Sequence, residues 1–264
     1  MNNEFMSAKD YALTIQDFKN ENYQEYNGIY VHPKIIDSLN KPIFRYMQFQ
    51  HLLMMLKNKK LYVPNRSSFS DITEHGWKEN HKYIFPMSVR SRNKKENKEC
   101  AEYASSKLKN AYNICVSCWT YDVYSSERNA VNENYLMWKS YGFDNISCRI
   151  ETTIDDLIHS VINKTGVDII ISNVEYVNLH PAAGNIQKYV FEKSPYYQDE
   201  KEVRLCVLKC DHHTLLDINP FQMIKEVTLS PFINNLFVQF LIEKFQIDYP
   251  ELRDKIRKSH VMEH

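Results

Sequence analysis

Glycine is scarce in this chain, with five residues in 264. No glycine-rich turn joins a strand pattern to a helix pattern, which excludes a Rossmann dinucleotide site and a P-loop. Gly-x-Ser-x-Gly, His-Glu-x-x-His and paired Cys-x-x-Cys signatures are missing too, which removes α/β-hydrolase, zincin and zinc-finger readings. There is no excess of either charge: 33 basic residues balance 33 acidic ones. The chain therefore lacks the overall positive field that accompanies electrostatic binding to nucleic acid, leaving room only for a local basic groove. Long hydrophobic runs are absent as well. The greasiest stretches, around Val167 to Ile171 and Phe232 to Leu241, fall short of the ~20 apolar residues needed to cross a bilayer. Met1 to Lys19 mixes charges with isolated apolar residues and does not read as a signal peptide. The expectation is a soluble, cytoplasmic protein without membrane association. No stretch reads as a flexible linker, so one domain is expected: an irregular and helical lead-in over 1–40, a core over 41–245 and a C-terminal extension over 246–264.

The six cysteines, without a secretory signal, are expected to be buried thiols rather than a disulfide framework. Cys115 and Cys118 lie in a segment that alternates like a strand. Side chains three apart then point to opposite faces, which speaks against a zinc or redox pair. Cys206 and Cys210 read the same way. His212-His213, beside Asp211, reads as a surface turn.

Periodicity places the elements. A short helix is expected around Tyr11 to Phe18 and a strand over Ile43 to Tyr46. Phe49, Leu52, Leu53 and Leu56 recur at helical spacing, which predicts a helix over Gln48 to Lys57. Leu61 to Val63 reads as a strand closed by Pro64, followed by a polar loop from Asn65 to Trp77. Strands are predicted over Asn113 to Thr120 and Ile146 to Ile150, with a helix over Asn132 to Tyr141 between them, stopped at Gly142. Thr153 caps a helix running to Asn163, with two aspartates in its first turn. The β-branched run Val167 to Val177 comes next, then the alternation of Val203, Leu205 and Val207, and a last strand over Glu226 to Leu229. Ser230-Pro231 reads as the start of a final helix, Phe232 to Phe245. Strands and helices mix without a regular repeat. The pattern is α+β, with a mixed, mainly antiparallel sheet and flanking helices.

Four segments carry the candidate chemistry: Phe44-Arg45-Tyr46 with Leu61-Tyr62-Val63-Pro64; Ser117-Cys118-Trp119-Thr120; Glu133-Asn134 with Met137-Trp138-Lys139 and Tyr141; and Glu200-Lys201-Glu202-Val203-Arg204-Leu205. Leu229-Ser230-Pro231-Phe232 completes the series. Their order resembles the bacterial family catalogued as domain of unknown function two-nine-seven-one, over roughly Ile43 to Leu241. Two departures stand out. Asn134 occupies a position where that family usually has Ser, and its Phe-Asn-Asp-Pro-x-Glu stretch is reduced here to Phe69-Ser70-Asp71-Ile72-Thr73-Glu74.

More distantly, the order is similar to the layout of ADP-ribosyltransferases: an early strand with Arg45, a helix, a short strand, a central Ser/Thr-bearing strand and a late Glu-x-Glu. That resemblance implies NAD as cofactor, with Arg45, Tyr46, Tyr62, Ser117, Trp138 and Arg204 in binding. It implies Glu202, Glu200 and Glu133 as the candidate catalytic carboxylates. The chemistry fits the residue types, since an oxocarbenium-like transition state needs a fixed carboxylate and a pyrophosphate suits the fork of Arg. An NAD-cleaving effector in toxin action or phage defence, acting on a small nucleotide or a macromolecular acceptor, is the leading expectation.

Two other readings compete with it. One is a metal-dependent nuclease using Asp71, Glu74, Glu200 and Glu202, with Lys201 or Lys139 near the phosphate. The other is a non-enzymatic module that binds a nucleotide or a partner. A third possibility applies residue by residue: Arg45 and Arg204 pairing with Glu133, Glu200 or Glu202 as a buried ionic network. Within Glu200-Lys201-Glu202, strand alternation predicts both carboxylates on one side and Lys201 on the other.

Overall fold

The computed structural model describes residues 14–69, 113–121, 123–124, 131–142, 146–162, 164, 166–177, 190–210 and 212–261. In chain order the elements are α1 (Ile15–Lys19), β1 (Gln24–Tyr26), β2 (Ile29–Val31), β3 (Pro42–Gln48), α2 (Phe49–Asn58), β4 (Lys60–Pro64), β5 (Cys115–Thr120), β6 (Val123–Tyr124) and β7 (Val131–Asn132). They continue with α3 (Tyr135–Gly142), β8 (Ser147–Thr153), α4 (Ile154–Ser160), β9 (Ile169–Asn173), β10 (Glu175–Tyr176), β11 (Glu192–Lys193) and β12 (Glu202–Val207). The last are β13 (His213–Asp217), α5 (Pro220–Met223), β14 (Glu226–Leu229), α6 (Asn235–Asp248) and β15 (Ile256–Lys258).

The main sheet has nine strands in the order β1-β2-β9-β12-β5-β3-β8-β14-β15. Neighbours run antiparallel except for β2 with β9 and β14 with β15. The fold is α+β with a mixed, mainly antiparallel open sheet. Two-residue alternation divides its side chains. Val203, Leu205 and Val207 of β12 join Ile171, Trp119, Cys115, Ile150 and Val227 in the main core. Their neighbours Arg204 and Cys206 point the other way, toward the smaller cluster of Val116, Ile170 and Phe191. Phe49, Leu52, Met55 and Leu56, spaced for one helical face, bring α2 onto the main core. Lys59 ends that helix in the left-handed conformation at φ 52°.

Several boundaries differ from the sequence expectation. α1 starts at Ile15 and ends at Lys19, and residues 1–13 lie outside the described residues. Thr153 does cap α4, accepting from the Asp156 amide at 3.0 Å. That helix stops at Ser160, because Val161 already pairs with Ile218. The run from 167 to 177 is two strands, β9 and β10, separated at Val174. Gly142 is the last residue of α3 rather than the stop beyond it. The final helix begins at Asn235, capped by the Asn234 side chain rather than by Ser230-Pro231.

The flanking segments contribute more than the sequence suggested. β1 and β2, from the lead-in, form one edge of the sheet, while β15, from the C-terminal extension, forms the other. Neither shows a long alternating pattern, since three-residue edge strands are too short to display one.

The cysteine expectation is corrected in one respect. Cys115 and Cys210 form a disulfide, with Cα atoms 5.6 Å apart across a sequence separation of 95. Register explains the meeting: Val207 pairs with Cys115, so the residues just past β12 return beside the start of β5. Asn65 Nδ2 donates to the Cys210 carbonyl at 2.7 Å and the Cys210 amide donates to Asn113 O at 2.8 Å, fixing the turn. Among the described residues Cys118, Cys148 and Cys206 are thiols outside any disulfide. Cys115 and Cys118 do point to opposite faces, Cys115 into the main core and Cys118 against the smaller cluster. Among the described residues no helix is long and apolar enough to cross a membrane.

Candidate functional site

β5 is the middle strand of the sheet, and its two sides are joined very differently. Toward β12 the ladder is complete, from Glu202 opposite Thr120 to Val207 opposite Cys115. Toward β3 a single registered pair, Phe44 with Thr120, holds the strands together. β3 is fully zipped on its far side, with seven registered pairs to β8. The β5–β3 join is thus the least-paired step of the sheet, and Arg45 lies one residue beyond its single registered pair.

Arg45 shares its face with Ser117 and Trp119. Its guanidinium NH1 donates to Ser117 Oγ at 3.0 Å, and its Cζ lies 5.9 Å from the centre of the Trp119 ring. Trp119 Nε1 donates to the same Ser117 oxygen, also at 3.0 Å. With both lone pairs of that hydroxyl engaged, its own proton is left for a third partner. One residue past β5, Tyr121 packs against the main core. Its hydroxyl is buried with no hydrogen-bond partner among the described residues, and burial pushes its pKa up to about 12.

Among the described residues Arg45 forms no ion pair. Burial pushes its pKa down, although the side chain keeps a solvent-facing part, and the neighbours that act in the opposite sense are Cys118 and Tyr141. Among the described residues no carboxylate reaches it. The other arginines of the sheet contrast with it: Arg204 meets Glu202, Arg149 lies 3.8 Å from Glu226, and Arg257 binds both Glu226 and Glu133.

Glu202 and Glu200 belong to a different environment. Thr120 is opposite both Phe44 and Glu202, so alternation puts Glu202 on the face opposite Arg45. There Arg204 grips the buried Glu202 carboxylate with two bonds, Nε to Oε1 at 2.8 Å and NH2 to Oε2 at 3.0 Å. Arg204 NH1 also donates to Val190 O at 2.8 Å. Burial alone would raise the pKa of Glu202, but Arg204, Lys193 and a bond to Cys118 together hold it below the usual carboxylate range. Lys193 sits between the two glutamates, 2.7 Å from Glu200 Oε2 and 3.6 Å from Glu202 Oε2.

The alternation expected for Glu200-Lys201-Glu202 therefore fails. Glu200 ends a 3-10 turn and Lys201 is left-handed at φ 43°, so β12 begins only at Glu202. The two carboxylates nevertheless converge, through Lys193.

The remaining candidates are scattered. Tyr46 and Trp138 meet edge to face at 4.8 Å in an apolar cluster with Phe44, and the Tyr46 hydroxyl accepts from the Asn134 amide at 3.2 Å. Trp138 Nε1 donates to Glu133 at 2.9 Å; Arg257 and Ser259 hold the same carboxylate. These three side chains join α3 to the sheet and are engaged with one another. Tyr62 stands apart on the two-stranded β13–β4 sheet, its ring 5.4 Å from that of His213. Asp71 and Glu74 lie outside the described residues. Among the described residues no three His, Cys, Asp or Glu side chains gather into a metal-holding group.

Sequence reasoning missed the roles of Trp119, Tyr121 and Lys193. Trp119 and Tyr121 follow Ser117 at two-residue steps, so alternation alone could have grouped them with it. Lys193 belongs to no pattern, and only folding brings it to Glu200 and Glu202. No family model, curated protein or solved structure matches the chain.

Proposed function

We propose that the chain recognises a phosphate-bearing nucleotide, NAD being the ligand suggested by the order of its motifs, with the phosphate groups on Arg45 at the β5–β3 seam. The observation that carries this reading is the Arg45 guanidinium itself, partly buried, bonded to one hydroxyl and facing no carboxylate among the described residues. A cation held this way is costly to desolvate, and a bidentate oxyanion offsets that cost. The Ser117 proton and the Tyr121 hydroxyl add uncharged hydrogen-bonding capacity on the same face.

Recognition is favoured over cleavage. Glu202, the first choice for the carboxylate of an ADP-ribosyl transfer, already has Arg204 as a buried bidentate partner. The nuclease reading fares worse, because Lys193 and Arg204 take up the two late glutamates. A cytoplasmic setting stays a reading of the N-terminal sequence, and the Cys115–Cys210 bond weighs against it.

Thermal unfolding with NAD, ADP-ribose, ADP and pyrophosphate tests the proposal, alongside an assay for released nicotinamide. NAD and ADP are expected to raise the midpoint in the native chain and to leave Arg45→Gln unmoved. The absence of any shift, or an equal shift in Arg45→Gln, overturns it. Nicotinamide release by the native chain that disappears in Glu202→Gln, with the variant shown by circular dichroism to be folded, would replace recognition by catalysis.

A further inference from the structure

We infer that the outer face of α6 is the contact surface of a symmetric dimer, with a second copy of this chain as its partner. α6 is a 14-residue helix anchored from beneath by Val238 and Phe245. Phe245 packs against Phe49 of α2 at 6.0 Å and against Tyr249 at 5.2 Å. The opposite face is apolar where a solvated helix would be polar: Leu236 is 81 % exposed, Phe240 56 % and Ile247 73 %. Phe237 stacks on Phe240, with ring centres 6.0 Å apart and planes 12° from parallel. Single exposed apolar residues need no explanation, but a contiguous stripe of this kind marks an interaction surface.

The spacing identifies the partner. Leu236, Phe240, Glu243 and Ile247 follow one another at steps of four, three and four, the spacing of a helix–helix seam. The only charges on the exposed face near its middle are Glu243 and Lys244, side by side and of opposite sign. A two-fold axis between those two positions sets Glu243 of each copy opposite Lys244 of the other. The same axis sets Phe240 opposite Ile247 of the other copy. Around that axis an antiparallel pair of α6 helices is self-complementary in the Glu243–Lys244 charges and the Phe240–Ile247 contacts, the requirement of an isologous interface, while Leu236 lies at its outer end opposite Glu251. Lys244 also bonds Asp248 one turn along its own helix at 2.6 Å, so a contact with Glu243 of the other copy would extend an ion pair already present.

The test is sedimentation of the full chain across a concentration series, with variants checked for unchanged circular dichroism and thermal midpoint. The native chain is expected to sediment as a dimer and Phe240→Lys as a monomer. Glu243→Lys and Lys244→Glu each place like charges opposite one another, and each should weaken association by about tenfold. The double variant, with the charges exchanged, should recover most of that loss. A native chain that is monomeric throughout, a dimer indifferent to Phe240→Lys, or a double variant no better than the singles overturns the inference. So does a monomer that uses this face to bind anionic vesicles.

Discussion

Glu202 and Arg204 stand two residues apart on β12 and close a bidentate pair within the buried layer of the sheet, at 2.8 and 3.0 Å. Removing the acid strands a guanidinium that has no exposure of its own. Glu202→Gln is therefore expected to destabilise the fold by roughly 3–5 kcal/mol, measured by urea unfolding at neutral pH. The pH dependence has a definite sign. The folded-state pKa of Glu202 lies below its ordinary value of 4.5, so the stabilisation is fully present above that value and is lost as pH falls through the folded one. The gap between native and variant should narrow only in that acid window. A gap that stays constant from neutral pH into strong acid would show that the pair is not its source.

Arg45 should behave in the opposite way. Among the described residues no acid pairs with it, so Arg45→Met removes a desolvated charge and puts an apolar chain in its place. The variant is expected to be at least as stable as the native chain, with a gain of about 1 kcal/mol in denaturant unfolding, while losing the response to phosphate-bearing ligands. A loss of several kcal/mol would mean that Arg45 is a structural cation with a partner of its own.

The Cys115–Cys210 bond links the start of β5 to the turn beyond β12, across 95 residues of chain. Its reduction enlarges the unfolded ensemble, with an expected cost of about 2–4 kcal/mol. A reducing agent should lower the thermal midpoint of the native chain and leave that of Cys210→Ser unchanged. Thiol titration of the unfolded, unreduced protein should find two fewer thiols than after reduction.

Much of this fold was legible because its strongest elements carry their own period. β12 shows the alternation of Val203, Leu205 and Val207, and α2 shows a stripe of large apolar residues at helical spacing. The edges were not legible. β2 and β15 have three residues each, and what makes them strands is a neighbour far away in sequence, Ile170 for Tyr30 and Val227 for Ile256. The same limit governs the site. Residue types marked out Arg45, Ser117 and Glu202, but which face each occupies depends on register, and the pairing of Phe44 with Thr120 is written in neither strand alone. The disulfide was missed for a related reason, since Cys115 and Cys210 become neighbours only once β5 and β12 have paired.

The β5–β3 join, with one registered pair, divides the strands of the sheet into two plates. One carries β1, β2, β9, β12 and β5; the other carries β3, β8, β14 and β15. The guanidinium of Arg45 reaches from the second plate to the Ser117 hydroxyl of the first, and that bond crosses the join. An oxyanion seated on both groups would act as a clasp across that join, contacting both plates at once.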